Sequence, residues 1–376
     1  MKVVLQLRSL LAASFLLSAS GWTQGPAQVA GDKIFARPTL LPFSIKVADA
    51  DAASLRRDPR KAVPAAIRVG SNEFARVALH LKGGAGSVRP LDGKPSFTMN
   101  FAKLQSGQRF FGLRKIHLNN SIQDPTYLCE DLAGELFRRG GVPAPRTAWA
   151  TVEFNGRKLG LFVLKEGFAK EFLRLHFADA DGNLYDGGST HREITEPLEL
   201  DSGDGPRQHE DLQALARAAQ AGPGARWAEL QRTLDVERFA SFMALEVLAN
   251  HIDGYSAMQN NYRIYFDPAS QRAVFLPHGM DRMFYEPTAP LEPYTKALVA
   301  GAFVGTTEGR AWYQRRVAEL AATVFQPEWM TNRIHERVRL LEATEPLVAR
   351  EAQPLLGRII ARAAFAHRTT RPQPGK

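Results

Sequence analysis

Cysteine is almost missing from this chain of 376 residues: only Cys129 carries a thiol, so no intramolecular disulfide can form. Stability has to come from an ordinary core, which a chain this long can bury. Cys129 lies among Leu128, Leu132, Ala133 and Leu136 on an expected helix, where a thiol packs as a small apolar group. After the first residues there is no uninterrupted apolar run of the roughly 20 residues that a bilayer requires. The mature protein is therefore expected to have no transmembrane segment. The nine histidines show no zinc spacing, and there is no Gly-x-Ser-x-Gly elbow. Asp179-Ala180-Asp181-Gly182-Asn183 starts like a calcium loop but lacks the remaining ligands and the closing Glu, so it reads as a turn. Dense basic blocks are missing too. The formal charge of +9 suits anionic partners such as nucleotides, acidic proteins or an envelope surface. Its Arg residues, however, are scattered among Glu and Asp without interleaved aromatics, so no nucleic-acid partner is expected.

What is present begins with an export signal. Lys2 and Arg8 give a positive start, Leu10 to Ser18 is a short apolar run, and Ser18, Ala19, Ser20 and Gly21 are the small residues a signal peptidase needs. Residues 1–24 are expected to be a signal peptide, and the mature protein to be exported, periplasmic or extracellular. Residues 25–38, rich in Gly, Ala and Pro, read as a linker. Two lobes follow: a β-rich N-lobe with one helix over 39–165, and a helical C-lobe over 166–376. Hydrophobic content of 44% and charged content of 23% are ordinary for a folded protein.

In the first lobe, Ala75 to Lys82, Ser96 to Lys103 and Leu113 to Asn119 alternate apolar and polar residues, the period of half-buried strands. Thr147 to Phe154 and Lys158 to Leu164 form a further pair, joined by Asn155-Gly156, a strong hairpin signal. The helix between them starts near Asp124-Pro125 and ends at Gly140-Gly141. In the second lobe Asp235 caps a helix running to about Asn250, apolar around so much of its circumference that it belongs in the middle of a core. Two short strands follow, Tyr262 to Phe266 and Ala273 to Leu276, and then amphipathic helices.

The chemistry concentrates between Asn250 and Phe284. Asp253 follows the buried helix at once in a Gly-containing loop; Asn260 and Asn261 come next, then the strand pair, then Asp281 beyond His278-Gly279. A protein kinase has the same order of parts: buried helix, catalytic-loop Asp, metal-binding Asn, hairpin, second metal-binding Asp. Phosphoryl transfer needs a carboxylate to orient the attacking hydroxyl and oxygen ligands to hold Mg²⁺ or Mn²⁺ against phosphates. Either Asp could also be a turn or capping residue, common for Asp beside Gly. The strand-rich half offers Gly83-Gly84-Ala85-Gly86-Ser87 as a phosphate cover or a plain hairpin turn, Lys94 for phosphate oxygens, and Glu130 to hold that lysine.

As a whole the chain resembles the CotH (spore coat protein H) kinase family. The segments that carry the resemblance run in the family's order. They are residues 80–101 (HLKGGAGSVRPLDGKPSFTMNF), 112–120 (GLRKIHLNN), 124–146 (DPTYLCEDLAGELFRRGGVPAPR), 155–166 (NGRKLGLFVLKE), 182–185 (GNLY), 251–255 (HIDGY), 260–265 (NNYRIY) and 275–284 (FLPHGMDRMF). The resemblance implies an α+β, atypical protein-kinase-like bilobal fold. It also implies Asp253 as catalytic, Asp281 as the metal-binding Asp, and Asn261 or Asn260 completing the metal site. Lys94 would be the nucleotide lysine with Glu130 as its partner, Glu166 would sit at the hinge near the adenine, and Lys82 would be a second phosphate contact. ATP and Mg or Mn would be the cofactors, and a protein Ser or Thr the acceptor. His-Arg-Asp, Asp-Phe-Gly and a full Gly-x-Gly-x-x-Gly are missing, and the Asn lies seven or eight residues after Asp253 rather than five. An ordinary protein kinase is thereby excluded. Transfer of a nucleotidyl group, and an inactive pseudokinase serving as an envelope or coat structural protein, stand as the alternatives.

Overall fold

A computed structural model of the chain describes residues 29–84, 86–188, 191–203 and 209–371. The expected signal peptide, the start of the linker and Ala85 of the glycine loop lie outside the described residues. The N-terminal elements are α1 (Asp32–Phe35), β1 (Leu40–Lys46), α2 (Asp49–Arg57), β2 (Val63–Val69), β3 (Asn72–Lys82), β4 (Ser96–Asn100), β5 (Lys115–Asn119), α3 (Cys129–Arg139), β6 (Thr147–Phe154) and β7 (Arg157–Glu166). Then come α4 (Lys170–His176), β8 (Leu184–Asp186), β9 (Glu199–Ser202), α5 (Glu210–Gln220), α6 (Pro223–Thr233), α7 (Val236–Leu248), α8 (Tyr255–Met258), β10 (Tyr262–Asp267) and β11 (Arg272–Pro277). The chain finishes with α9 (Leu298–Val304), α10 (Thr307–Thr323), α11 (Pro327–Leu341) and α12 (Leu347–Thr370). The fold class is mixed α and β.

The first seven strands close into a barrel in the order β1-β2-β3-β4-β5-β7-β6, sealed by the parallel pairing of β1 with β6. Alternation fills it. In β2, Val63, Ala65, Ile67 and Val69 point inward while their neighbours are exposed. Leu79, Leu81, Phe97, Met99, Ile116, Leu118 and Leu164 do the same from β3, β4, β5 and β7. Because successive strand residues face opposite sides, the outer face of those four strands carries what remains. There His80, Thr98, His117 and Lys165 stand in one cross-strand row.

Two expectations need correction here. The N-terminal half holds α1 and α2 besides α3. Of α2 only Ala52 and Leu55 are buried, too thin a stripe to mark a helix by period. The C-terminal half holds a four-stranded sheet, β11-β10-β8-β9, rather than a lone hairpin. Strands β8 and β9 have three and four residues, shorter than any window that shows alternation.

Helix α3 begins at Cys129, later than Asp124-Pro125, yet Asp124 still caps it by accepting from the Cys129 N–H at 2.9 Å. At its far end Gly141 takes the left-handed conformation that stops the helix (φ 82°). The Asp235 carboxylate caps α7 through the Arg238 N–H at 3.1 Å, and every residue from Phe239 to Leu248 is buried. That helix is the axis of the second core, and it delivers the chain to the loop carrying Asp253.

Candidate active site

The polar outer face of the barrel and the loops after α7 and β11 enclose a cleft of about 790 Å³. Among the described residues on its wall, Val163 is the only apolar side chain. Asp253, Asn260, Asn261 and Asp281 come from one side, and Lys82, Glu130 and Lys165 from the other.

Asp253 is held by both asparagines. Its Oδ1 accepts from Asn260 Nδ2 at 2.9 Å and its Oδ2 from Asn261 Nδ2 at 2.8 Å. With each amide NH₂ donating to Asp253, both amide oxygens are turned elsewhere. The Asn260 Oδ1 is buried without a protein partner. The turn before Asp281 is locked to the other asparagine: the His278 N–H donates to the Asn261 backbone carbonyl at 2.9 Å. Burial first, and the negative charge of Glu130 second, push the Asp281 carboxyl up to about 7. Asp281 and the asparagine amide oxygens are thus hard oxygen donors able to face a divalent cation.

Opposite them runs a chain of polar contacts. Lys82 Nζ donates to Asn119 Oδ1 at 2.6 Å, Asn119 Nδ2 donates to Glu130 Oε2 at 2.6 Å, and Lys165 Nζ donates to Glu130 Oε1. Lys165 also reaches His278 Nδ1 at 3.2 Å, beside the Asp281 turn. Burial works against a charged Glu130, but the charge and hydrogen bond of Lys165, with Lys82, hold its carboxyl below the ordinary range. Burial and the neighbouring Lys165 charge press Lys82 down to about 8. Further along the wall, Arg263 spans Asp186 at 2.6 Å and Asp201 at 3.0 Å, and Lys115 joins Asp201 at 3.0 Å. That last pair ties the barrel to the second sheet.

The family model for CotH kinase protein matches residues 79–355. This chain belongs to the CotH kinase protein family. The CotH match begins in β3 and ends in α12, so every cleft residue described above falls inside it. Over 303 residues, 71% of this chain, it is 22% identical to invasin CotH2 of Rhizopus delemar, of whose length it spans 50%. It is 22% identical over 276 residues to the inner spore coat protein H of Bacillus subtilis, covering 67% of this chain and 75% of that protein. Among solved structures it is similar to the Helicobacter pylori proinflammatory kinase CtkA, at 9% identity and a TM-score of 0.37, covering 70% of this chain and 92% of that one. The Shewanella oneidensis HipA of a HipA, HipB and operator DNA complex gives 12% and 0.39, with 88% and 74% covered. Those two likenesses are too loose to carry an argument.

Within this CotH chain, Asp253, Asp281, Asn260, Asn261, Lys82 and Glu130 meet at one cleft. Lys94 does not. Its Nζ donates to the Tyr127 hydroxyl at 2.8 Å and sits 5.0 Å from the Tyr127 and Phe162 rings. The expected Lys94–Glu130 pair is therefore replaced by Lys165–Glu130. Glu166 ends β7 beside the second half, but its carboxylate is committed to Arg146, through Nη2 at 2.7 Å and Nε at 3.0 Å. The Gly84 N–H in the glycine loop is taken by Ser87 Oγ at 3.1 Å. Sequence reasoning passed over Lys165, Asn119, His117 and Arg263. The signal for Lys165 was there: one Lys closing the apolar run Leu161 to Leu164, where a buried charge needs a partner.

Proposed function

We propose that this protein is an exported, metal-dependent atypical kinase that transfers the γ-phosphoryl of ATP to a Ser or Thr hydroxyl of a protein. One observation carries the reading: two carboxylates from separate loops share a cleft with a buried, glutamate-paired lysine from the barrel. In it Asp253 orients the acceptor hydroxyl and takes its proton. Lys165, fixed by Glu130, and Lys82 bind phosphate oxygens. The acceptor oxygen bonds to the γ-phosphorus as the β–γ bridging bond breaks, and ADP leaves. Asp281 with the Asn261 or Asn260 amide oxygen would hold Mg²⁺ or Mn²⁺, whose role is to neutralise charge on the phosphates. Among the described residues no group of three or more His, Cys, Asp or Glu could hold a metal ion. The proposed cation would be bound by one or two carboxylates plus substrate phosphates. Lys165 takes the role first assigned to Lys94. The signal-like residues 1–24 and the coat and invasin relatives support a site of action outside the cytoplasm. No helix among the described residues is long and apolar enough to cross a membrane.

The test begins with binding. Mn²⁺ with nucleotide should raise the melting temperature, since ligand at 100 times its Kd adds about 2.7 kcal/mol. Label from γ- and from α-labelled ATP then separates phosphorylation from nucleotidylation. Asp281→Ala should abolish the metal-dependent stabilisation. Asp253→Asn should keep it while turnover falls roughly 100-fold or more. Binding and transfer unchanged in both variants would end the enzyme reading and leave that of an inactive pseudokinase serving as an envelope or coat structural protein, one relative being named a spore coat protein.

A further inference from the structure

Six buried polar side-chain atoms with no well-formed hydrogen bond lie directly behind the Asp253 loop: Glu246 Oε1, both side-chain atoms of Asn250, both ring nitrogens of His251, and Ser256 Oγ. Twelve such atoms occur among the described residues, so half are gathered here. Their polar neighbours are one another, Tyr294 and the Gly279 backbone.

Their geometry is specific. Glu246 is in the last turn of α7 and sealed from solvent. Its backbone carbonyl accepts from the His251 N–H at 2.7 Å, and its Oε2 accepts from the Ser256 N–H at 3.2 Å. Its Oε1 lies 3.9 Å from His251 Nδ1. The carboxyl therefore touches the loop on both sides of Asp253. Gly254 shows how closely the loop is laid over it: a Cβ there would come 2.2 Å from Glu246 Oε1 and 2.8 Å from His251 Nδ1. On its other side the His251 ring approaches the backbone of Gly279, in the turn that leads to Asp281. Burial pushes Glu246 up to about 8 and His251 down to about 4, so near neutral pH the pair is an uncharged acid beside an uncharged imidazole. A glutamine reproduces the shape and hydrogen bonding of that acid.

We propose that Glu246 and His251 are positioning residues, one buried contact that sets the Asp253 loop and the Asp281 turn relative to each other. The claim rests on the phosphotransfer reading of the cleft for its kinetic consequence, not for its structural one. Neither residue touches substrate; they act through the two loops they separate.

The experiment compares wild type, Glu246→Ala and Glu246→Gln, with Mn²⁺ and ATP as the probes. Glu246→Ala should lower kcat about 30-fold or more with KM for ATP changed less than about 3-fold, and Glu246→Gln should restore kcat to within about 3-fold of wild type. Backbone hydrogen exchange should rise in Glu246→Ala at both 251–256 and 279–281, and return in Glu246→Gln. Exchange raised at neither segment, or at 251–256 alone, overturns the proposal. So does a glutamine variant as impaired as the alanine one, or an alanine variant with normal kcat. If wild type transfers no phosphoryl group, the kinase reading falls while the exchange pattern still decides this one. Should Glu246→Ala not fold, Gly254→Ala replaces it, because its methyl presses on the same oxygen.

Discussion

A lysine sealed from water next to a glutamate survives only as a pair, because either charge alone would pay the full cost of leaving water. Lys165 and Glu130 are such a pair, both almost fully buried. Removing one partner strands the other: Lys165→Met leaves Glu130 with Asn119 and the more distant Lys82. It should lose about 3–5 kcal/mol of stability, together with the melting shift from Mn²⁺ and nucleotide. Lys94→Met removes a hydrogen bond to the Tyr127 hydroxyl and the contacts with the Tyr127 and Phe162 rings, and should cost about 1–2 kcal/mol, with the nucleotide shift intact. Thermal melts with and without ligand separate the two, and the reverse pattern would restore Lys94 as the nucleotide lysine. The contrast shows why the acidic residues were legible in the sequence and the lysine was not. Asp253 and Asp281 each announce themselves as an Asp beside a Gly or after a His-Gly turn, outside regular structure. Lys165 is the last but one residue of a strand, where only the register of β5 against β7 puts it facing the cleft. Register is a tertiary property, and a one-residue slip would have turned Lys165 into the barrel and Glu166 out.

Single elements show the same division. The hairpin of β6 and β7 was readable because Asn155 and Gly156 both take positive φ (48° and 82°), which few residues tolerate together. Helix α7 was readable because thirteen residues give the apolar pattern room to repeat. Barrel closure was not, since β1 joins β6 across more than a hundred residues and no local pattern encodes a parallel partner. The element that matters most for function is the turn after β11. Gly279 has φ 55°, and a Cβ there would lie 2.5 Å from the Asn261 side chain. Gly279→Ala should therefore displace Asn261, cut the melting shift from Mn²⁺ and nucleotide by at least half, and lower the unliganded melting temperature by a few degrees. Gly156→Ala is the control: its φ of 82° carries similar backbone strain, but nothing lies within 4 Å of the added carbon. It should lose a comparable amount of stability and bind normally. Equal effects on binding would mean that strain alone, not the Asn261 contact, governs the site.

At the scale of the whole molecule, the cleft and cores together bury an unusual set of titrating groups, and their signs predict a pH profile. Burial lowers five imidazoles: His80, His117, His176, His251 and His278, with His176 and His251 brought to about 4. In the unfolded chain each takes a proton near 6.5. A base whose folded pKa is depressed contributes stability that is present above the unfolded value and lost as pH falls toward the folded one. Acidification below about 6.5 should therefore destabilise the protein. Two carboxyls act in the opposite sense: Asp281, raised to about 7, and Glu246, raised to about 8, bind protons in the folded state that the unfolded state releases. Their contribution is present at low pH and is lost as pH rises through 7 and 8. Asp124, also raised by burial, joins them at the acid end. Below 6.5 five imidazoles outnumber three carboxyls, and stability should fall. Between about pH 7 and 8 the imidazoles are neutral in both states and the lowered amines of Lys82 and Lys94 still hold most of their protons, so stability should decline again as Glu246 ionises. Melting temperature without ligand should thus peak near pH 6.5–7 and drop by several degrees toward pH 4.5. Glu246→Gln should flatten the alkaline limb, whereas Asp281→Asn, by removing a carboxyl that opposes the imidazoles below pH 7, should steepen the acid limb. A melting temperature that climbs steadily from pH 6.5 down to 4.5 would mean the imidazoles take protons in the folded state, reopening the assignment of the neutral His251 beneath the Asp253 loop.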